Sequence, residues 1–384
     1  MTGPTDEDAV TGSSDGVTPA ADDATAATAS VTADTAAVVP VHAADADDSS
    51  TVTPADLPAT APAVDLGALV STLAEPTGSA DDLEAARATF RARLLDDRVL
   101  VDLGRPGLYG RSRAFERVMQ AVRATWTAAN ADLEPDLLRF PPVITLPTFE
   151  QTDYIASFPD LAAAVSSFRG GDREHRELLA ARAAGERWER FLEPADVMLT
   201  PAACHPVYAL LSGQLPEGGR MFDVDGDSFR HEPSLDPMRL QAFHMHEFVH
   251  VGTPASARSH RDSHVEPMAE LLRSFGLEID VVPANDPFFG RVGKILARNQ
   301  VAQSLKFEFI TPVYGADQPW TAIASANLHE DHFGLAFGIT TADGGTAHSA
   351  CLAFGLERIT LALFGVHGSD VDAWPAEART ALSL

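Results

Sequence analysis

Lysine and cysteine are the scarcest reactive residues in this chain. Only Lys294, Lys306, Cys204 and Cys351 represent them among 384 residues. Two widely separated thiols exclude the disulfide framework of a small secreted fold and fit a reducing, cytoplasmic compartment. No run of 18 or more apolar residues occurs, so no membrane-spanning helix is expected. The start of the chain lacks the positive region and continuous apolar stretch of a secretory signal. Neither GxGxxG nor GxxxxGK(S/T) is present, so neither a Rossmann nor a P-loop nucleotide site is signalled.

Residues 1–66 contain no lysine, arginine, tryptophan, phenylalanine or tyrosine, and they carry twelve acids. Such a segment cannot bury enough apolar surface to offset its ordering entropy, and it reads as a disordered acidic tail. In the remainder 43 acids still outnumber 28 Lys and Arg, and the formal net charge of the chain is −27. That balance argues against a protein whose main task is gripping nucleic acid, because phosphate binding needs local positive charge. The preference for Arg over Lys fits a GC-rich genome, with a halophilic surface as the second reading.

What is present is an ordinary globular composition, 45% hydrophobic, in a length ample for a buried core. Folded sequence is expected from about Leu66. "SRAFERVMQAVRATW" places Phe115, Val118, Met119, Val122 and Trp126 at helical spacing, which predicts a packing helix. "DREHRELLAARAAGERWERFL" predicts a second, charged and Ala-rich helix. Near residue 195 the texture changes. "RLQAFHMHEFVHVG" (239–252), "LKFEFITPVYG" (305–315) and "WTAIASANL" (320–328) alternate with period two, and "SHRDSHVEPMAELLRSFGL" between them predicts a helix. Strands joined by single helices and long loops, without βαβ alternation, predict an α+β fold with a mainly antiparallel sheet.

Several residues bear on chemistry. Cys204 in "LTPAACHPVY" and Cys351 in "AHSACLAFGLER" suit a zinc site, which needs three protein ligands and an open fourth position for catalysis. Their spacing declares no site, and two buried structural thiols are the plainer reading. Along the strand at 239–252, His244, His246 and His250 share one face, while Phe243, Met245, Glu247 and Val249 share the other. A carboxylate on an apolar strand face is costly unless paired or coordinated, so Glu247 needs a cation. The three histidines read more simply as a solvated or partner-facing surface than as a site of their own. "FRHEPSLDPMRLQAF" puts Arg230 and Glu232 at the end of one strand and Arg239 at the start of the next. Arg230 is suited to bidentate phosphate binding, with Glu232 on its face. A surface Arg–Glu pair accounts for the same local pattern.

The order of these stretches carries more than any one of them. F-R-x-E, a short loop and R-x-x-x-F resemble motif 2 of the class II aminoacyl-tRNA synthetases, and "FGLER" before "ITLALFG" resembles motif 3. "FPPV", "SFPDL", "LTPAAC", "FRHEPS", "MHEFV", "ANDPFFGR", "LKFE", "HEDHFG" and "CLAFGLER" run in order across roughly residues 90–368. Together they resemble the seryl-tRNA-synthetase-like amino acid:carrier protein ligases.

The resemblance implies a homodimer on a class II antiparallel catalytic sheet, lacking the tRNA-binding coiled-coil arm. Residues 195–384 would form the catalytic core with motifs 2 and 3, and residues 67–194 its N-terminal helical and interface part. It implies adenylation of a small amino acid by ATP, glycine or alanine favoured. The aminoacyl group then passes to the phosphopantetheine thiol of a carrier protein, independent of tRNA. A catalytic zinc, Zn2+, that receives the substrate amino group falls on Cys204, Glu247 and Cys351. By the same resemblance Arg230 meets the ATP α-phosphate, Glu232 the adenine end and Arg358 the γ-phosphate. Arg239 and Leu240 lie where the motif 2 loop meets the nucleotide, and Ala322, Ile323, Ala324 and Ser325 line the same pocket. Mg2+ bridges the phosphates, and Asn285 and Asp286 shape the substrate pocket.

The chain departs from the family pattern at the strand that reads closer to F-R-M-R-E-(F/Y)-V-R in relatives, where it has His244, His246 and His250. Imidazoles there replace permanent charges with ones that titrate near neutrality. The acidic tail is not part of the family core, and solubility is its plainest role. Two other readings stand beside the ligase. One is a seryl-tRNA synthetase relative with a tRNA acceptor. The other is a catalytically altered zinc-binding paralogue acting as a partner or regulatory subunit.

Overall fold

The computed structural model describes residues 70–71, 75–286 and 304–384. The acidic tail over 1–66, Lys294 and the end of "ANDPFFGR" lie outside the described residues.

Alternating sequence becomes one seven-stranded sheet. In chain order its strands are β1 (Asp136–Leu138), β2 (Arg220–Phe229), β3 (Ala242–Gly252), β4 (Asp280–Pro283), β5 (Lys306–Thr311), β6 (Thr321–Glu330) and β7 (His348–Gly355). Across the sheet they run β4-β5-β6-β7-β3-β2-β1. Every pair is antiparallel except β1 beside β2 at one edge, so the mainly antiparallel sheet expected from the sequence forms.

Helices cover one face. We label the five used below α1 (Ala80–Asp96), α2 (Arg113–Ala129), α3 (Asp172–Ala183), α4 (Pro254–Ser274) and α5 (Leu356–His367). Their starts follow capping chemistry. The hydroxyls of Ser79, Ser112 and Thr253 accept the otherwise unpaired N–H groups of Asp82, Phe115 and Ser256. The predicted stripe of α2 is buried as a whole: Phe115, Val118, Met119, Val122 and Trp126. Trp126 stacks on Phe354 of β7 at 4.0 Å and meets Phe248 of β3 edge-on at 5.3 Å. The main core therefore lies between helices and the sheet face that carries the even-numbered residues of β3 and β7. No described helix is long and apolar enough to cross a membrane.

Two expectations are corrected. Helix α3 stops at Ala183 rather than running on to Leu192, because Gly185 takes a left-handed φ of +71° and a short 3-10 turn follows at Trp188–Phe191. The histidine face of β3 is no solvated surface either. His246 is fully buried and pairs with Asp223 at 2.9 Å, while His250 is buried against the Ser256 hydroxyl at 2.9 Å. His244 is held between Glu357 and Asp227, at 2.7 and 3.2 Å. Alternation identified the shared face, but not that α2, α4 and α5 cover it.

Candidate active site

On the opposite face β3, β5, β6 and β7 line a cavity of about 370 Å³. β3 offers it Phe243, Met245 and Glu247, and β7 offers Cys351, Ala353 and Gly355. β6 adds Ala322 to Ser325 and Asn327. Register makes the meeting possible. Cys351 pairs with Val249 on one side and Asn327 on the other, and Glu247 pairs with Ala353. Glu247 and Cys351 thus lie on one face of adjacent strands, two residues out of step. Cys204 arrives from outside the sheet, just before a short helix at His205–Tyr208, and its N–H donates to Glu247 Oε1 at 3.3 Å. The ligating atoms of Cys204, Glu247 and Cys351 all lie within 4.8 Å of one another, and all three residues are buried. Two cysteines 147 positions apart in sequence are therefore arms of one cluster.

Three acidic groups packed this closely cannot all ionise in a dry pocket. Burial, then the neighbouring Cys351, pushes the Glu247 carboxyl well above the usual carboxylate range. The hydrogen bond to Cys351, then burial, pushes the Cys204 thiol up. Cys351 goes the other way, its thiolate favoured by Cys204 and further by His329 and Asn327. Asn327 Nδ2 donates to Cys351 Sγ at 3.2 Å, and His329 Nε2 stands 3.7 Å from it. Among the described residues, the cluster is thus short of positive charge.

Guanidinium groups line the other end. Arg230 follows directly on β2, its Nε donating to the Pro201 carbonyl at 3.2 Å and its guanidinium lying 5.7 Å from the Phe243 ring centre. Arg358, on the first turn of α5, donates to the Met238 carbonyl at 2.9 Å and the Ala322 carbonyl at 3.0 Å. Burial lowers its pKa, with Arg239 and Arg230 adding to the effect. The Ala322 carbonyl that Arg358 meets lies beside a bulge in β6. Phe309 pairs with Ala324 but Ile310 pairs with Ala322, leaving Ile323 as the extra residue.

Of the residues singled out from sequence, the cavity wall holds Cys204, Arg230, Glu232, Leu240, Glu247, Asp286, Ala322, Ile323, Ala324, Ser325, Cys351 and Arg358. Arg239 and Asn285 stand outside that wall, both exposed. Asn285 donates to the Asp286 carbonyl at 3.0 Å. Glu232 does not extend the face of β2, which ends at Phe229. The chain turns there, and Glu232 pairs with Arg239 at 3.3 Å. Sequence reasoning passed over Lys306 and Glu308 of β5, which also line the wall. Lys306 is bound to Asp286 at 2.6 Å and Glu308 at 3.0 Å. The signal was available, since Lys306 is one of two lysines in the chain. His329, Asn327 and Glu357 were missed as well.

No family model matches the chain. It is 41% identical over 292 residues to amino acid–(acyl-carrier-protein) ligase 1 of Bradyrhizobium diazoefficiens, a match covering 76% of this chain and 89% of the relative. Among solved structures, M. kandleri SerRS in complex with A. aeolicus tRNASec superposes with a TM-score of 0.64 at 20% identity, covering 83% of this chain and 65% of that one. Seryl-tRNA synthetase from Pyrococcus horikoshii complexed with ATP gives 0.52 at 13% identity, covering 82% and 64%. The chain thus spans just under two thirds of these synthetases, and at such identities the likeness speaks for the fold alone. That fold is the class II aminoacyl-tRNA synthetase catalytic core, an α+β architecture. With its fold and its close relative agreeing, the chain belongs to the amino acid–(acyl-carrier-protein) ligases, a family of ligase enzymes.

Proposed function

We propose that this enzyme adenylates a small amino acid with ATP at a zinc-containing site and passes the aminoacyl group to the phosphopantetheine thiol of a carrier protein. On this reading it acts as a homodimer in the cytoplasm, with no tRNA. The observation that carries the proposal is the layout of one cavity, with Cys204, Glu247 and Cys351 at one end and Arg230 and Arg358 at the other.

Two thiols and a carboxylate, buried together and short of positive charge, fit a zinc ion with a fourth position left over. When bound there, the ion supplies a Lewis-acid position for the neutral α-amino group of the substrate. Small wall residues near the cluster, Ala202 and Ala353, support a small side chain, glycine or alanine first. The substrate carboxylate then points toward the arginine end. One carboxylate oxygen attacks the ATP α-phosphorus, and the bond to the bridging oxygen breaks as pyrophosphate leaves; magnesium, when bound with the nucleotide, would offset the phosphate charge. Arg230 stabilises charge building on the α-phosphate, and Arg358 the leaving end. Glu232 faces the adenine, beside Arg239 and Leu240. Holding the carboxylate and phosphorus in line supplies rate through orientation, with no covalent enzyme intermediate. The carrier thiol attacks the adenylate carbonyl; a carbon–sulfur bond forms, the bond from that carbon to the phosphate oxygen breaks, AMP leaves, and the thiol proton passes to solvent. Asn285 and Asp286 act at the substrate side, Asp286 through its bond to Lys306.

Amino-acid-dependent ATP–pyrophosphate exchange tests the reading. We expect exchange with one or two small amino acids and its loss in Cys351→Ala. A zinc-replete protein that exchanges with none of them would defeat the adenylation step.

A further inference from the structure

The loop from Arg230 to Gln241 carries Glu232, Met238, Leu240 and, at its outer side, Arg239, yet it has no helix or strand of its own. Its shape is organised around one carboxylate. Asp236 Oδ1 accepts the Met238 N–H at 2.9 Å, the Asp236 carbonyl accepts the Arg239 N–H at 3.0 Å, and the Ser234 hydroxyl accepts the Asp236 N–H at 3.1 Å. Asp236 is buried, which makes an unpaired charge there costly. Two side chains from elsewhere meet it. Arg87 of α1 pairs through Nε with Asp236 Oδ2 at 3.0 Å, and the buried Tyr314, between β5 and β6, donates its hydroxyl to Asp236 Oδ1. The Arg87 guanidinium also lies 5.8 Å from the Tyr314 ring centre, and Phe90 meets that ring edge-on at 6.1 Å. The same loop gives its Met238 carbonyl to Arg358.

We propose that Arg87, Asp236 and Tyr314 form a clamp that positions the nucleotide-facing loop before ATP arrives. This rests on the adenylation reading above. The three residues touch no substrate; they are positioning residues that act through Glu232, Leu240 and the Met238–Arg358 contact. Neither Arg87 nor Tyr314 lines the cavity, so their effect reaches the nucleotide by way of the loop. A loop fixed in its bound shape lowers the ordering entropy that ATP binding would otherwise have to overcome. The metal cluster hangs on a different set of contacts, those of β3, β7 and Cys204, and stays as it is when the clamp opens.

The test is titration of full-length, zinc-loaded protein with Mg·ATP, alongside zinc content and exchange kinetics. Tyr314→Phe removes a hydrogen bond to a buried carboxylate, which corresponds to about a tenfold weakening. We expect the Kd and KM for ATP to rise by about that factor, with KM for the amino acid and bound zinc unchanged. Arg87→Lys should recover part of what Arg87→Gln loses, and these two variants at a part-exposed site serve if Tyr314→Phe fails to fold. ATP and amino acid constants that shift together, or an ATP constant that does not move, would overturn the clamp while leaving the adenylation reading intact. A wild-type protein that binds no Mg·ATP would overturn both.

Discussion

Glu247 stands diagonally across the β3–β7 ladder from Cys351, one paired with Ala353 and the other with Val249, so their side chains share a face and a pocket. Among the described residues, neither has a lysine or arginine bonded to it. Replacing any one of the cluster should therefore abolish metal retention. In Cys204→Ala, Cys351→Ala and Glu247→Gln we expect bound zinc, measured by plasma mass spectrometry, to fall from near one per chain to near zero. Exchange activity should fall by a factor on the order of 10² or more. Retained zinc in Glu247→Gln would show that the carboxylate is not a ligand.

Arg230 is predicted to act in the transition state more than in the ground state. Arg230→Ala should lower the exchange rate by roughly 10²–10³-fold with a smaller change in KM for ATP. Arg230→Lys should recover little, because an ammonium cannot reproduce the planar two-pronged contact. Steady-state exchange kinetics at saturating amino acid measure both.

His244 should make stability fall on the alkaline side. Burial pushes its imidazole down, but the hydrogen bond and charge of Glu357, with Asp227, outweigh burial and the opposing Arg111, holding it above its usual value. A raised folded pKa contributes stability that is fully present below about pH 6.5 and is lost as pH rises through the folded value. We expect the thermal midpoint to decline above neutrality in the wild type and to stay flatter in His244→Arg, whose charge is permanent. Parallel declines in the two proteins would remove His244 as the cause.

His260 should act at the acid side with the opposite sign. It packs between His250 and His264, with ring centres 5.7 and 5.0 Å away, and burial, then those neighbours, brings its pKa down to about 3. The unfolded chain then binds a proton that the folded one refuses. Stability is constant above about pH 6.5 and falls below it toward pH 3, by up to about 1.4 kcal/mol per unit for one such group. Urea midpoints between pH 7 and pH 5 should fall less steeply in His260→Gln. An unchanged slope would assign the acid limb to other groups.

The parts of this structure legible in sequence were those set by local periodicity. The α2 stripe needed only a 3.6-residue repeat, and the sheet face of Glu247 only a two-residue one. Pairing register was not legible. Cys204 and Cys351 look like unrelated buried thiols until β7 is placed against β3, and only the ordered motifs suggested that they meet. The histidines show the same limit in reverse. Alternation grouped them correctly but left open whether water, a partner or a helix lay over them, and Asp223, Ser256 and Glu357 answered that from three other elements. Lys306 escaped because β5 reads as plain alternating strand, while its carboxylate partner Asp286 lies beyond the end of another strand.

The extra residue at Ile323 has a bearing on how such a site changes. Toward Asn327, odd-numbered residues of β6 look into the cavity, whereas past the bulge the even-numbered Ala322, opposite Ile310, lines it. One inserted residue thus sets the phase between the metal half and the nucleotide half of a single strand. Each half can drift in sequence without disturbing the other's alternation, because both are held to the unbroken alternation of β5. Deleting Ile323 would leave Ala324 opposite Phe309 and Ala322 opposite Ile310, each on its present face, so the bulge would be lost while both halves kept their orientation.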